Sequence, residues 1–334
     1  MFNFWRTRIK PLYSMGILGM NRRNISYISA YNPRYLMPLV DDKLKTKQLA
    51  LEHDVPVPEM IGVVDSQPAI KNVELLLRGQ KSFCIKPAKG SGGKGILVII
   101  RVEEGRYYRS NGQPIELPDI QRHLSNILAG LFSLGGAMDV AIVEGLIVVD
   151  PFLAEYSYEG VPDIRLIVFR GVPVMSMMRL SCAVSQGKAN LHQGAVGVGI
   201  DVGSGRAVNA VQRDHRVSHH PDTGCDLMRL AVPRWQELLE LGCACSDMTG
   251  LGYLGVDLVL DANQGPVLLE LNARPGLSIQ IANHAGLLPR LREIEKLKNP
   301  ARMSVRQRID FARRHFSAEP LAPVAPSEII PVST

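Results

Sequence analysis

The sequence predicts an α+β protein with about two domains, on three observations. Its 334 residues would fill about two domains of average size. Apolar residues make up 46% and charged residues 21%, which is close to the globular average and excludes wholesale disorder and fibrous repeats. Short apolar runs are joined by tight turns into antiparallel hairpins separated by helices, which favours α+β layers over a doubly wound parallel sheet.

The first half of the chain predicts alternating helices and strands. Asp41 is expected to cap a helix over 42–53, which ends before Pro56 and Pro58. The apolar patterns then predict a strand over 60–64, a helix over 70–77, strands over 83–86 and 96–101, a turn-rich segment over 107–114, a helix over 117–131, and one or two strands over 140–149.

Two hairpins and a long helix dominate the second half. The predicted strands cover 164–169 with 173–179, and 255–260 with 266–270, and the predicted helix between the hairpins covers 223–242. An apolar stripe at helical spacing follows near the C-terminus, and the proline-rich chain from Ser317 onward is expected to be disordered. Helical spacing also occurs at the N-terminus, at Phe2, Trp5, Ile9 and Leu12. No stretch of roughly 18 residues is free of charge, so no transmembrane segment is expected.

Positive charge is concentrated at the N-terminus. Residues 1–40 contain six Lys or Arg residues and no acid, whereas the other 294 residues contain 32 basic and 32 acidic ones. This arm is expected either to be a solvated leader or to dock on an acidic partner, on a second protomer of a homo-oligomer, or on the protein's own domains. Nucleic acid is not an expected partner, because few aromatic residues accompany the arginines of the basic ends.

Cysteine usage indicates a reducing compartment. The five cysteines are odd in number and include no pair of C-x-x-C units with zinc spacing. No apolar core of a secretory signal follows the basic N-terminus. The cysteines are therefore expected to be reduced, buried thiols of a cytoplasmic protein.

A glycine-rich loop between two strands is the first candidate functional element. Lys86 ends a predicted strand, and the loop Gly90–Gly95 contains four glycines and leads straight into the next strand. Glycine lets backbone N–H groups approach phosphate oxygens, and lysine adds positive charge. The spacing differs from a Walker loop, and a flexible hairpin tip is the alternative interpretation.

Carboxylates within an apolar hairpin are the second candidate element. Asp257 and Glu270 lie on strands that are expected to pair, and Asn272 shares a face with Glu270 because the two are two residues apart. Two carboxylates and an amide oxygen are ligands that suit Mg²⁺. An ordinary half-exposed hairpin is the alternative, but the flanking residues are too apolar for charges without a partner.

Charged and polar residues on neighbouring predicted strands form the third candidate element. Asp163 and Arg165 stand at the start of one strand, Arg179 ends the strand paired with it, and Lys188 and Asn190 follow. Arginine and lysine on adjacent strands can neutralise charge that develops on a phosphoryl group. Each of these residues alone would be an ordinary surface residue, so the interpretation depends on the set.

The order of these elements resembles the ATP-grasp superfamily, and most closely its α-L-glutamate ligase branch. The segments Asp42-Lys43-Leu44 and Lys188-Ala-Asn190-Leu-His192-Gln-Gly194 are similar to that branch, and Glu270-x-Asn272-x-x-Pro275-Gly276 is a specific motif of the superfamily. The resemblance runs from Asp41 to Gly286. The ATP-grasp group associated with sugar transfer resembles the stretch from Glu144 to Arg165 about as well.

The resemblance implies which residues bind the nucleotide. It places Lys43 and Lys86 at the ATP phosphates, and it closes the loop with Gly92, Gly93 and Gly95 over them. It assigns adenine binding to a hinge made of Glu144, Gly145, Leu146 and Ile147, with Glu155-Tyr156 as a rival hinge. It places Asp163 and Lys188 near the nucleotide.

The resemblance also implies the reacting and metal-binding residues. It places Arg165 and Arg179 near the reacting phosphate and Asn190 at the junction of nucleotide and substrate. It gives two Mg²⁺ ions, with Mn²⁺ as the alternative metal, to Asp257, Glu270 and Asn272, and Glu270 is the bridging ligand.

The implied fold is the ATP-grasp fold, in which two α+β subdomains clamp ATP. Their expected bounds are 41–146 and 147–300, with a short basic extension over 1–40 and a basic helix and disordered tail over 301–334. The implied activity is an ATP- and Mg²⁺-dependent carboxylate–amine ligase that forms an amide through an acylphosphate. The expected substrates are glutamate or another amino acid and a peptide, protein or glutamyl acceptor.

Departures from the branch leave the substrate open. Members of the branch carry a whole domain before the helix that holds Lys43, where this chain has only the basic arm. Lys188 stands where the branch has arginine, and Ala195 stands where it has a second glycine. The alternative functions are a nucleotide-binding regulatory or scaffold protein without ligase turnover, and a sugar-transfer-associated ATP-grasp enzyme.

Overall fold

Two compact units make up the part of the chain that the structure describes. The structure is a computed structural model that describes residues 14–90 and 92–317. The small unit runs from Pro38 to Val148, and the large unit comprises the described chain up to Met37 and from Val149 onward. The helical spacing predicted for the first twelve residues and the proline-rich tail from 318 onward lie outside the described residues.

A six-stranded antiparallel sheet forms the small unit. Its strands are β1 (Met60–Val64), β2 (Phe83–Pro87), β3 (Leu97–Glu103), β4 (Arg106–Arg109), β5 (Pro114–Ile115) and β6 (Ala141–Glu144). They lie in the order β1-β6-β2-β3-β4-β5. The helices of this unit are Pro38–Asp41, Lys43–Glu52, Gln67–Lys71, Val73–Leu77 and Leu117–Leu128, with a 3₁₀ turn at Leu134–Gly136.

Helix Leu117–Leu128 builds the core of the small unit. Ile120, Leu124 and Ile127 recur at helical spacing and are fully buried in one cluster with Phe83 and Ile85 of the sheet. The helix predicted over 42–53 is observed as Lys43–Glu52. Its cap is Asp42, one residue beyond the predicted Asp41. The Asp42 carboxylate accepts hydrogen bonds from the backbone N–H groups of Leu44, at 3.0 Å, and Lys45, at 3.3 Å.

A seven-stranded antiparallel sheet forms the large unit. Its strands are β7 (Asp163–Phe169), β8 (Val172–Leu180), β9 (Val196–Ile200), β10 (Ala207–Gln212), β11 (His215–Arg216), β12 (Tyr253–Asp261) and β13 (Gly265–Asn272). They lie in the order β11-β10-β9-β8-β7-β12-β13. The two sheets with their helices confirm the predicted α+β class, and both predicted hairpins, β7–β8 and β12–β13, are present.

Short helices and one long helix surround this sheet. The α-helices are Met20–Arg22, Ser29–Tyr31, Pro151–Ala154, Trp235–Thr249, Ile279–Ala282, Leu287–Glu295 and Val305–Phe316. A π-helix spans Arg23–Ile28, and 3₁₀ turns lie at Arg34–Leu36, Ala183–Ser185, Leu191–Gln193, Leu227–Arg229 and Pro300–Arg302. Within the two described ranges, no helix has the length and apolar character needed to cross a bilayer.

The long helix lies further along the chain than predicted. It covers Trp235–Thr249 instead of 223–242. Pro233 and Arg234 stop a helix from running through this region, since proline lacks the N–H donor and Arg234 adopts a left-handed conformation at φ 53°. Gly250, also left-handed, then ends the helix.

Strands β9 and β10 were not predicted from the sequence. Strand β9 reads Val-Gly-Val-Gly-Ile, and glycine weakens the strand pattern. Gly199 is required because a Cβ there would lie 2.4 Å from the carbonyl oxygen of Ala282. Gly199 thus allows helix Ile279–Ala282 to approach the sheet closely.

Residues 14–37 pack on the large unit. Tyr27 is buried, and its ring centroid lies 5.5 Å from that of Phe169 and 6.1 Å from that of Tyr253. The buried Asn32 amide donates to the carbonyl oxygens of Tyr253, at 2.8 Å, and Ala273, at 3.2 Å. Its side-chain oxygen accepts from the backbone N–H of Tyr253 at 2.8 Å. The Asn32 side chain therefore satisfies the backbone hydrogen-bonding groups of Tyr253 at the start of β12, as a neighbouring strand would.

Asn32→Ala should destabilise the large unit by about 2–3 kcal/mol, because it removes three buried hydrogen bonds and leaves backbone groups without a partner. Urea unfolding followed through the fluorescence of Trp235 measures the loss. Asn24→Ala is the matched control, since Asn24 is exposed and, within the described residues, its side chain accepts hydrogen bonds only from Arg23. Equal losses in the two variants would contradict the role of Asn32.

Candidate active site

A buried carboxylate between two buried lysines is the main charged feature of the small unit. Glu144 ends β6, and Lys86 stands on the neighbouring strand β2. The Lys86 ammonium lies 2.5 Å from one Glu144 oxygen, and the Lys47 ammonium lies 2.5 Å from the other. All three side chains are at most 8% exposed. The predicted hinge residue Glu144 and the predicted phosphate ligand Lys86 are therefore brought together by an ion pair.

Lys47 was not identified from the sequence. It comes from helix Lys43–Glu52 and also donates to the carbonyl oxygen of Pro58 at 2.7 Å. Burial lowers its pKa, although the Glu144 carboxylate opposes that effect. Burial likewise raises the pKa of the Cys84 thiol, beside Glu144 in the register, to about 12. No local signal distinguishes Lys47 from the exposed Lys45, because burial of a lysine is decided by the tertiary partner.

The glycine-rich loop is anchored at both ends and open at its tip. Lys43 donates to the carbonyl oxygen of Gly90 at 2.7 Å, so its ammonium lies at the base of the loop. A Cβ on Gly95 would lie 2.5 Å from the Phe132 ring. Gly92 and Gly93 have left-handed φ values of 63° and 73° and open space where a Cβ would be. The loop can therefore present backbone N–H groups to a ligand from its tip.

A network of two aspartates and two arginines crosses the sheet of the large unit. The Asp163 carboxylate accepts two hydrogen bonds from Arg179, at 2.5 and 2.6 Å. Arg179 also donates to Asp257 at 2.8 Å, and Arg165 donates to both Asp257 oxygens at 2.7 and 2.5 Å. The strand register explains this, because Asp163 pairs with Arg179 across β7–β8 and Arg165 pairs with Asp257 across β7–β12.

Burial and neighbouring charges separate the pKa values of the two aspartates. Burial raises the pKa of Asp163 to about 6, opposed by Arg179 and reinforced by the Asp257 carboxylate. Burial also acts on Asp257, but Arg165 and Arg179 together overcome it and lower its pKa to about 2. The ionisation of Asp163 therefore lowers the free energy of unfolding as the pH rises from about 4 to about 6. The contribution of the ionised Asp257 to the free energy of unfolding is lost as the pH falls below about 4.

The predicted metal ligands share one face of the β12–β13 hairpin. Asp257 lies directly opposite Glu270, and Asn272 stands two residues beyond Glu270 on the same side. Two carboxylates and one amide oxygen fit a hard cation such as Mg²⁺. A carboxylate offers about four acceptor sites, and Asp257 already accepts three hydrogen bonds. Glu270 and Asn272 would therefore be the main protein ligands of an ion here.

A metal site built only from His, Cys, Asp and Glu is not present in the described part of the chain, where no group of three such residues converges. The predicted set differs from such a site because its third oxygen comes from Asn272. That oxygen also accepts a hydrogen bond from the backbone N–H of Arg274 at 2.8 Å. This bond fixes the orientation of the amide oxygen on the hairpin face.

The remaining predicted site residues lie on the surface of the large unit or at the hinge. Asn190 is half-buried and caps a 3₁₀ turn, because its side chain accepts from the backbone N–H of His192 at 3.0 Å. Lys188 is exposed and lies outside the charge network. At the preferred hinge, the backbone N–H of Gly145 donates to the carbonyl oxygen of Glu59 at 2.9 Å. The rival residue Glu155 follows helix Pro151–Ala154 instead of a strand.

The comparison with known families identifies the chain. The sequence profile of sugar-transfer associated ATP-grasp proteins matches residues 22–296. The chain belongs to this family. The prediction of an ATP-grasp protein and of its fold is thereby confirmed.

Relatives of this ATP-grasp chain include one curated protein and several solved structures. The "Probable alpha-L-glutamate ligase" of Parasynechococcus marenigrum (strain WH8102) is 26% identical over 297 residues, which cover 86% of this chain and 48% of that protein. The chain therefore spans about half the length of this relative. D-cycloserine synthetase DcsG is 17% identical over 78% of this chain and 71% of its own, with a TM-score of 0.47. The ATP-grasp ligase PsnB with its minimal precursor is 14% identical over 79% and 61%, with a TM-score of 0.41.

In this ATP-grasp chain, Asp257→Asn should lower the pKa of Asp163. The neutral amide removes a carboxylate whose charge raises that pKa, while the charges of Arg179 and Arg165, which lower it, remain. An NMR titration of the side-chain carboxyl carbons measures the shift. Asp261→Asn, at a buried position of the same strand outside the network, is the control and should leave the pKa at about 6. An unchanged or raised pKa in Asp257→Asn would refute this coupling.

Proposed function

We propose that this ATP-grasp chain is an ATP- and Mg²⁺-dependent carboxylate–amine ligase. The observation that carries the proposal is the network of Asp163, Arg179, Asp257 and Arg165, in which Asp257 lies directly opposite Glu270 of the next strand. It combines fixed positive charge with oxygen ligands suited to a hard cation. Transfer of a phosphoryl group needs that combination, because catalysis of this reaction is mostly positioning and charge neutralisation.

The geometry of the two arginines supports their role at the phosphoryl group. Arg165 and Arg179 each use Nε and Nη2 to hold the aspartates. Over the described ranges, the Nη1 group of neither guanidinium has a hydrogen-bond acceptor. Each arginine therefore keeps one donor edge for a ligand, while the aspartates fix its orientation. We assign Asn190 to the junction of nucleotide and substrate, as the family resemblance implies.

In the small unit, we assign phosphate binding to Lys86, to Lys43 and to the glycine-rich loop with Gly92, Gly93 and Gly95. Adenine binding is assigned to the backbone of 145–147, because both carboxylate oxygens of Glu144 are engaged by lysines. The residues Asp163 and Lys188 of the large unit are assigned to the nucleotide as well. The cation, when bound at Glu270 and Asn272, would supply Lewis-acid stabilisation of phosphate charge.

The proposed reaction has two steps. An oxygen of the substrate carboxylate attacks the γ-phosphorus of ATP, the bond to the bridging oxygen breaks, and an acylphosphate and ADP result. The neutral amine of the second substrate attacks the acyl carbon, and inorganic phosphate leaves with the electron pair of the broken C–O bond. The proton of the amine is released as the amide forms. The protein contributes orientation and charge neutralisation and no side-chain nucleophile.

We further propose an amino acid and a peptide, protein or glutamyl acceptor as the substrates. The curated relative with its glutamate-ligase name supports this class of substrate. The proposed compartment is the cytoplasm, since all five cysteines are free thiols and three of them, Cys182, Cys243 and Cys245, are buried.

A screen of nucleotide products tests the proposal. Purified protein with Mg²⁺ and ATP is supplied with single amino acids and then with amino acids plus short acidic peptides. The ligase account expects ADP and phosphate to be released only with a productive pair, together with a new amide by mass spectrometry. Tight ATP binding with no ADP release under any pair would favour a nucleotide-binding scaffold instead.

Lys86→Met should weaken binding of a non-hydrolysable ATP analogue by about ten- to a hundredfold, because it removes a charge-assisted phosphate contact. Lys47→Met is the matched control, since it breaks the other ion pair to Glu144 without removing a proposed phosphate ligand. Lys94→Met, on the exposed loop, should have a small effect. Isothermal titration calorimetry gives the three affinities. Similar losses for Lys86→Met and Lys47→Met would assign the effect to the ion pairs.

Glu270→Gln should abolish Mg²⁺-dependent turnover and lower the affinity for Mn²⁺ with bound nucleotide, as read by electron paramagnetic resonance. The amide keeps the shape of the side chain, so the fold should remain intact. Glu240→Gln, on the exposed side of helix Trp235–Thr249, is the control for charge loss in the same unit. Normal rates and normal Mn²⁺ binding in Glu270→Gln would remove Glu270 from the metal site.

A further inference from the structure

A cleft on the large unit lies outside the charge network described above. Its volume is about 560 Å³, within the roughly 300–1,000 Å³ typical of small-molecule sites. Its wall is formed by the residues that follow Asn190, by the tip of the β10–β11 hairpin, and by the start of helix Ile279–Ala282. Two segments of this wall directly follow motifs of the proposed active site along the chain: residues 191–194 follow Asn190, and Ser278 comes soon after Pro275-Gly276.

The hairpin tip in this cleft has an unfavourable backbone for its residues. Gln212 pairs with His215, so Arg213 and Asp214 form a two-residue turn. Both have positive φ, 49° and 66°, as a type I′ turn requires. Asn-Gly is the preferred sequence for such a turn, and arginine is poorly suited to it. Backbone strain of this kind is typical of functional positions, because another requirement has fixed the residue type.

The charges of this turn are available to a ligand. Over residues 14–90 and 92–317, the side chains of Arg213 and Asp214 make no hydrogen bond or ion pair, and both are exposed in the cleft. Gly194 lies beneath the arginine, because a Cβ there would lie 3.6 Å from the Arg213 Nε atom. One cleft therefore offers a guanidinium for a carboxylate and a carboxylate for an ammonium group, with Val211 and Ile281 as apolar walls.

We propose that this cleft binds the amino-acid substrate of the ligase as a zwitterion. Arg213 pairs with the carboxylate of the amino acid, and Asp214 pairs with its ammonium group. A ligand that carries only one of the two charges leaves one of these side chains unpaired and binds less tightly. The inference rests on the proposed function, since it names the site for a substrate class that the ligase requires.

The test replaces the turn by the sequence that its backbone prefers. In the variant Arg213→Asn with Asp214→Gly, the type I′ turn should become more stable, so the midpoint of thermal unfolding should rise. The same variant should lose affinity for the amino acid by at least about tenfold, because two charge-assisted contacts are removed. A residue pair that served only the fold would not give greater stability together with weaker binding.

The probes are the standard L-amino acids, each compared with the amine that lacks its α-carboxylate and the acid that lacks its α-ammonium group; for L-alanine these single-charge analogues are ethylamine and propionate. Binding is measured by isothermal titration with the Mg²⁺ complex of a non-hydrolysable ATP analogue present. At least one amino acid should bind the wild-type protein, its single-charge analogues should bind at least about tenfold more weakly, and the turn variant should resemble the analogues. Arg206→Asn, at an exposed arginine away from the cleft, is the control and should bind like the wild type.

Two results would overturn the proposal. One is that no amino acid binds the wild-type protein, and the other is that the turn variant binds as tightly as the wild type. Titration of the ATP analogue in the same samples separates this failure from failure of the proposed function. Nucleotide binding and ADP release that persist with unchanged amino-acid affinity in the turn variant would reject the cleft alone, whereas loss of nucleotide binding in the wild-type protein would reject the ligase.

Discussion

Two buried aspartates and the two arginines that pair with them fix the register of three strands in the large unit. Asp163 and Asp257 are at most 7% exposed, and each keeps its charge compensated by Arg179 or Arg165 on the neighbouring strand. A shift of one residue in β7, β8 or β12 would turn these side chains to the opposite face of the sheet and leave charges buried alone. The hairpin β12–β13, which carries Glu270, is built directly on the last of these strands. The candidate chemistry of the large unit therefore depends on the same ion pairs as its fold.

The small unit uses the same kind of constraint with fewer partners. Glu144 compensates two buried lysines, and one of them, Lys86, is the proposed phosphate ligand. Removal of Glu144 would leave both ammonium groups buried without a counter-charge. The end of β6, helix Lys43–Glu52 with Lys47, and β2 with Lys86 must therefore be positioned together. Each unit thus holds cationic groups in fixed positions, as the proposed binding of phosphate requires. Such preorganisation is the main source of electrostatic catalysis in phosphoryl transfer.

The sequence was informative where chemistry and local pattern coincide. The hairpins that carry Arg165, Arg179, Asp257 and Glu270 could be predicted because apolar alternation frames the charged residues and tight turns separate the strands. The glycine-rich strand β9 gave no such pattern, because Gly199 is selected for the approach of a helix that is distant in the sequence. Apolar spacing alone predicts a start for the long helix that is too close to the N-terminus, because it does not reveal the left-handed conformation of Arg234.

Tertiary partners account for the candidate functional features that the sequence did not reveal. Nothing local marks Lys47 as buried, and nothing marks Arg213 and Asp214 as the tip of a strained hairpin in a cleft. Both features arise from segments that are far apart in the chain. The most direct test of the ligase account is an isotope transfer. With a substrate carboxylate labelled with ¹⁸O, we predict that one labelled oxygen appears in the inorganic phosphate released with each amide formed. Amide formation with unlabelled phosphate would contradict an acylphosphate and with it the proposed role of the charge network.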